Sequence, residues 1–211
     1  MAETVAPKKF QLVGGEICLD FCNTVGGKRE GIARENLHSY DDLLSWYEQA
    51  ALIEPTQAEA LHQAALSRPQ EAATALVRAI RLRESIYNIL FAVARSKPPK
   101  AEDVQNLNSE LASSLGRLRL TRQKGAAGFQ WTWAAGDIGF DHPLGPIARS
   151  AADLLTHPDL LARIHQCKGD NCGWLFLDAS KNHSRCWCDM RDCGNRAKVR
   201  RHRDRRAKDA G

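Results

Sequence analysis

The 211-residue chain is 43% apolar and 26% charged, the balance of a globular protein with enough length for a hydrophobic core. No stretch approaches the roughly eighteen apolar residues of a membrane span, and the opening lacks the apolar region of a secretory signal, so a cytoplasmic protein with no membrane partner is expected. The net charge of +5 is uneven: from His165 onward there are 12 Lys/Arg against 6 Asp/Glu, whereas the residues before it hold 18 basic and 19 acidic.

In chain order, Met1–Thr4 reads as a short disordered lead-in. Gly14-Gly15 then separates two apolar stretches and introduces Ile17-Cys18-Leu19-Asp20-Phe21-Cys22-Asn23-Thr24, a buried strand or short helix closed by Gly26-Gly27. Asp20, Asn23 and Thr24 are polar residues in this apolar opening. They either line a small-molecule effector pocket, or serve as helix caps and a satisfied core polar group. Lys28 to Asn36 reads as an exposed loop. His38-Ser39-Tyr40-Asp41-Asp42 starts a helix whose apolar positions include Leu43, Leu44, Trp46 and Tyr47, stopped by Pro55. Thr56 with Glu59 three residues on predicts a capping box for the next helix.

From Gln70 to Arg95 a helical period of apolar residues carries Arg78, Arg81 and Arg83 among them. Lys97-Pro98-Pro99-Lys100 breaks it, and a further helix is expected from Ala101 to Leu115. Arg117 to Arg122 and Phe129 to Trp133 alternate polar and apolar residues across a glycine-containing linker, which predicts a β-hairpin. Pro143 to His165 reads as helical again, interrupted near Pro158. The expected fold class is therefore a mainly α N-terminal domain with one β-hairpin (α+β), over residues 1–160, followed by a small module over 161–211.

That module opens with Cys167-Lys-Gly-Asp-Asn-Cys172 and, after fifteen residues, Cys188-Asp-Met-Arg-Asp-Cys193. Two close cysteine pairs separated by a hairpin-sized insert are what a closed tetrahedral site requires, so Cys167, Cys172, Cys188 and Cys193 are expected to hold one structural Zn²⁺ per chain. Such a metal replaces the core that a short segment lacks, with an apparent binding free energy of about 10–16 kcal/mol. Metal spacing in an odd set of seven cysteines also favours a reducing compartment. Trp174-Leu175-Phe176-Leu177 reads as a strand, Asp178 to His183 as a polar turn, and Cys186-Trp187-Cys188 as the returning strand. The outline of knuckle, hairpin and helix is treble-clef-like. Cys186 could compete as a ligand.

The segment after Cys193 is basic on both sides of a helix, with Arg196, Arg200 and Arg203 on one face and Lys198, Arg201, Arg205 and Lys208 nearly opposite. A helix with no apolar stripe and this charge suits a position between two phosphate walls, as in the major groove of double-stranded DNA. Arg196, Lys198, Arg200, Arg201 and Arg203 are the expected nucleic-acid contacts.

Cys188-Asp-Met-Arg-Asp-Cys193-Gly194-Asn195-Arg196 and Cys172-Gly173-Trp174-Leu175-Phe176 resemble the CGNR zinc-finger family. Gly14-Gly15-Glu16-Ile17-Cys18-Leu19-Asp20-Phe21-Cys22-Asn23-Thr24 resembles the start of the ABATE domain that usually precedes that finger in bacterial proteins. The resemblance implies a stress-response transcription regulator, the zinc-ligand role for the four cysteines, and an N-terminal domain that senses an effector or forms a homodimer. Cys186 stands where a basic residue is more usual, so a zinc-thiolate redox sensor is one alternative; an RNA-binding module is another. No Walker loop, GxGxxG, GxSxG or HExxH occurs, and no enzyme is expected.

Overall fold

A computed structural model describes residues 8–123, 125, 127–133 and 139–209; the expected lead-in at Met1–Thr4 lies outside the described residues. Helices α1 (Ile17–Cys22), α2 (Tyr40–Gln49), α3 (Pro55–Ser67), α4 (Pro69–Val93) and α5 (Ala101–Leu115) precede a hairpin of β1 (Leu118–Arg122) and β2 (Phe129–Trp133). Helices α6 (Leu144–Thr156) and α7 (Pro158–Leu161) lead into strands β3 (Ile164–Gln166) and β4 (Leu175–Leu177). A π-helical turn at Met190–Gly194 opens helix α8 (Asn195–Asp209). Among the described residues no helix is long and apolar enough to cross a membrane.

Local chemistry accounts for most boundaries. Ser39 caps α2, accepting from the Asp42 N–H at 3.1 Å while Asp42 accepts from the Ser39 N–H, so the expected start is observed. The N-cap of helix α3 is Glu54, two residues before the expected Thr56. Pro55 presets the helical φ at the first position, and the Glu54 N–H donates to Gln57 Oε1 at 2.8 Å, which makes Glu54 and Gln57 the capping pair. The opening apolar stretch is the short helix α1, packed between α4, α6 and β4. Residues 164–166, expected as the end of a helix, are extended instead, because they pair with β4.

The hairpin has the register Leu118↔Trp133 to Arg122↔Phe129, which places Leu118, Leu120, Phe129, Trp131 and Trp133 on one face. Its base is anchored by the Trp133 ring against Gly145 of α6, while Leu120 and Phe129 toward the tip remain exposed.

Lys28 to Asn36 is a largely exposed loop, as expected, but it is tied down at two points. The Arg29 guanidinium lies 3.4 Å from the Tyr87 ring centroid and pairs with Glu84 at 2.8 Å. Glu35 pairs with Arg83 at 2.6 Å. Arg83, read as one of three arginines scattered along α4, is 2% exposed. It spends its guanidinium on Glu35, Glu84 and the Thr24 hydroxyl, as a buried cation must.

One contiguous core runs from α1 through α6 and continues into Ile164, Leu175 and Leu177. A second, smaller cluster gathers Cys167, Cys172, Phe176, Cys188 and Cys193, with Val13, Trp174 and Trp187 packed against it. Strand alternation explains the division: Leu175 and Leu177 face the helices, and Phe176 between them faces the cysteines. Strand β4 is the shared wall of both.

Candidate metal centre and basic helix

Strand β3 delivers Cys167, whose N–H donates to the Trp174 carbonyl at 2.8 Å and so continues the β3–β4 ladder by one bond. The chain then turns tightly, with the Cys172 N–H donating to the Gly169 carbonyl at 3.1 Å. A Cβ on Gly169 would stand 3.0 Å from the Cys172 Cβ and 3.1 Å from the Cys193 sulfur. That crowding explains a glycine in the knuckle. On the other side the Gly194 N–H reaches back to the Asp189 carbonyl at 3.0 Å, and this wide turn carries Cys193 inward.

The four buried sulfurs of Cys167, Cys172, Cys188 and Cys193 all lie within 4.8 Å of one another. Cys172 and Cys188 are 3.7 Å apart and Cys188 and Cys193 3.6 Å. Metal–sulfur bonds of about 2.3 Å in a tetrahedron place sulfurs roughly 3.8 Å apart, so the cluster has the dimensions of a zinc–thiolate site. The Cys188 and Gly169 N–H groups point at the Cys167 sulfur at 3.3 and 3.4 Å, and Arg196 Nη2 lies 3.2 Å from the Cys193 sulfur. These are the outer hydrogen bonds that stabilise thiolate ligands. Hydrogen bonds from Cys172 and Cys188 lower the Cys167 pKa, while the same contact with Cys167 pushes Cys172 up to about 12. A divalent cation removes that conflict. Among the described residues no other group of three or more Cys, His, Asp or Glu gathers in this way.

The insert between the pairs departs from the expected hairpin. β4 pairs antiparallel with β3, ahead of the first cysteine, and not with Cys186–Cys188. The backbone of 186–188 is committed elsewhere. The Cys188 N–H goes to sulfur, the Cys186 carbonyl accepts from the Lys168 N–H at 3.0 Å, and the Trp187 and Cys188 carbonyls accept from Arg185. Arg185 also donates to the Val13 carbonyl at 3.0 Å and lies over the Phe176 ring, so one guanidinium closes the module against the N-terminal segment. Asp178 accepts from the Ser180 and Arg185 N–H groups at 2.8 Å each; the Ser180 side chain foremost, and then these two N–H groups, hold its carboxyl down at about 2. Nothing in the sequence singles out Arg185 from the other arginines.

Asp20, Asn23 and Thr24 are brought to the same junction, where the fold hydrogen-bonds all three. Asn23 donates to the Leu175 carbonyl at 2.9 Å and accepts from the Leu175 N–H at 3.0 Å, so its amide mimics a neighbouring strand along the edge of β4. The Leu177 N–H donates to the Gly14 carbonyl at 2.7 Å. Asp20 accepts from the Gly14 N–H at 2.7 Å and thereby fixes that carbonyl's segment; burial raises its carboxyl to about 6. Thr24 donates to the Phe21 carbonyl and accepts from Arg83. Of the two readings of these three residues, the hydrogen bonds are those of the structural one: the fold itself engages their polar groups. Trp174 Nε1 donates to the Val25 carbonyl at 2.8 Å, and a Cβ on Gly173 would meet the Gly27 carbonyl oxygen at 2.5 Å. Backbone thus touches backbone where the module docks.

Helix α8 starts at the metal centre. Its Ala197 is buried against the knuckle, Arg196 pairs with Asp192 at 3.1 Å, and Arg200 pairs with Asp170. Lys198, Arg201 and Arg203 are exposed, as are Arg205 and Arg206 further along. The five arginines and lysines expected to contact nucleic acid therefore share a helix. All five are exposed; Arg196 and Arg200 also make surface ion pairs near the root of the helix, with Asp192 and Asp170.

The remaining thiols differ in reach. Cys18 and Cys22 are fully buried in α1; burial raises both, Cys22 to about 12. Cys186 is half-buried, outside the metal cluster, with its Sγ toward the Ser184 carbonyl at 3.5 Å. Limited peroxide treatment followed by peptide mass spectrometry is expected to find Cys186 modified well before Cys18 or Cys22, since reactivity needs access and thiolate character. Modification of either helix cysteine first would contradict this burial order.

Family models place this architecture. The ABATE family, described as "Putative stress-induced transcription regulator", matches residues 15–158, and the CGNR zinc finger matches residues 163–206. Among curated proteins none matches the chain.

Proposed function

Since the chain belongs to the ABATE family and carries a CGNR zinc finger, we propose that it is a transcription regulator that binds double-stranded DNA through α8, with one structural Zn²⁺ held by Cys167, Cys172, Cys188 and Cys193. The observation that carries this reading is the exposed cationic surface of α8 on a root buried at Ala197, beside the surface ion pairs of Arg196 and Arg200. Fifteen helical residues extend about 22 Å from the metal centre, and a rigid root aims their charges as a unit. Arginine dominates over lysine, which permits bidentate contact with guanine as well as with phosphate.

With four or five phosphate contacts, log K for duplex binding by the zinc-loaded full chain should fall with log salt at a slope of about −4. Arg201→Ala with Arg203→Ala should flatten the slope by about two. Arg200→Gln removes a single charge, already paired with Asp170, and should lower affinity with a smaller change in slope. Binding titrations across a salt series test this. Absence of duplex binding at low salt, an unchanged slope in the Arg201/Arg203 variant, or displacement by structured RNA far below the concentration needed for duplex competitor would each remove the DNA reading.

A further inference from the structure

We propose that the β1–β2 hairpin is a self-association surface, on which two copies of the chain pair about a two-fold axis in the absence of DNA. Each copy seats its hairpin tip in a groove at the base of the other's hairpin. The tip is an apolar knob: Phe129 is 68% exposed and Leu120 57%. The register sets Arg122 directly opposite Phe129, so a cation shares that face. The groove is about 350 Å³ and open along one side. Ile17, Leu118, Trp131 and Pro146 give it apolar walls, and Glu16 and Asp153 stand among them as carboxylates.

Knob and groove cannot meet within one chain. Four residues of extended strand hold Phe129 about 13 Å from Trp133 at the base, and a paired strand does not bend back on itself. A second hairpin laid antiparallel brings tip over base, and two-fold symmetry makes the same contact twice. Charge agrees with this occupant. The knob carries Arg122, whereas the groove sets two carboxylates against one guanidinium, Arg149, which pairs with Asp153 at 3.5 Å and lies 5.1 Å from the Trp131 ring centroid. A polyanion would meet those carboxylates. Trp131 keeps 56% of its surface in spite of Arg149. With aromatic side chains offering about 150–250 Å² each, Leu120, Phe129 and Trp131 leave roughly 300–400 Å² of apolar surface in water. That is nearly half of the roughly 800 Å² per partner in a standard interface, and the groove walls and Arg122 add to it. A two-stranded hairpin is marginal by itself, so covering this face also steadies it.

Sedimentation equilibrium of the zinc-loaded full chain, from about 1 to about 500 µM and without DNA, is the test. The mass should rise from one chain to two and stop there, with a Kd of about 10 µM for an interface of this size. Phe129→Asp, at an exposed position, should raise that Kd at least about thirtyfold at unchanged zinc content and circular dichroism. Arg122→Glu and Asp153→Arg should each weaken pairing about fivefold, and the two reversals in one chain should restore it to within about twofold. A chain that stays monomeric throughout, a dimer indifferent to Phe129→Asp, or a double variant no better than its singles overturns the proposal. So does a mass that grows past two chains with concentration, because knob and groove would then link head to tail without closing.

Discussion

Replacing Cys193 with serine is expected to abolish stoichiometric zinc and to lower the stability of the whole chain. The apparent free energy of a structural zinc site, about 10–16 kcal/mol, matches or exceeds the roughly 5–15 kcal/mol by which a domain is stable at all. The module's own cluster is five residues, four of them cysteines, so without metal little else orders it. The loss does not stop there. Leu175, Leu177 and Ile164 belong to the helical core, and each large apolar side chain returned to water costs about 1.5–3 kcal/mol. Urea unfolding followed by circular dichroism should therefore show the helical transition at a markedly lower midpoint than in wild type. Cys186→Ser should leave zinc content and midpoint unchanged. A helical transition indifferent to Cys193→Ser would show that the two clusters are energetically separate despite their common strand.

The second large effect is expected at Arg83. Arg83→Leu leaves Glu35 without its cation and Glu84 with Arg29 alone; because both carboxylates are about a third exposed and solvent screens them, the cost is expected at about 1–3 kcal/mol. The same network gives an acid limb to the stability curve. Hydrogen bonds and charge from Arg83 outweigh burial and lower the Glu35 carboxyl from its ordinary value to about 2. Its contribution is therefore complete above the unfolded carboxylate's pKa and drains away as pH falls through the window down to about 2. Denaturation midpoints taken from pH 7 to pH 3 should fall less steeply in Arg83→Leu than in wild type. Parallel curves, or a loss at pH 7 well under 1 kcal/mol, would contradict the role given to this network.

The cysteine cluster, the basic helix and the hairpin were legible in the sequence because each depends on local spacing. Cysteine pairs, an alternation of Leu and Trp, and a run of arginines carry their meaning within a few residues. The docking of the module was not legible, because it depends on pairs far apart in the chain. Asn23 read either as a pocket wall or as a satisfied core polar group, and its partner Leu175 is visible only in the fold. The partner of β4 was misplaced for the same reason: periodicity marks a strand but does not say which edge it joins. Arg83 and Arg185 were indistinguishable by pattern from the solvated arginines, and only burial separates them.

The pairing of Asn23 with Leu175 spans 152 positions, and during synthesis that distance is also a delay. At about 5–20 residues per second the strand that Asn23 and Gly14 await leaves the ribosome roughly 8–30 s after them. For that interval α1 and the helices around it stand with one wall missing. Cys193, the last ligand, emerges later still, so metal capture closes the fold and cannot seed it.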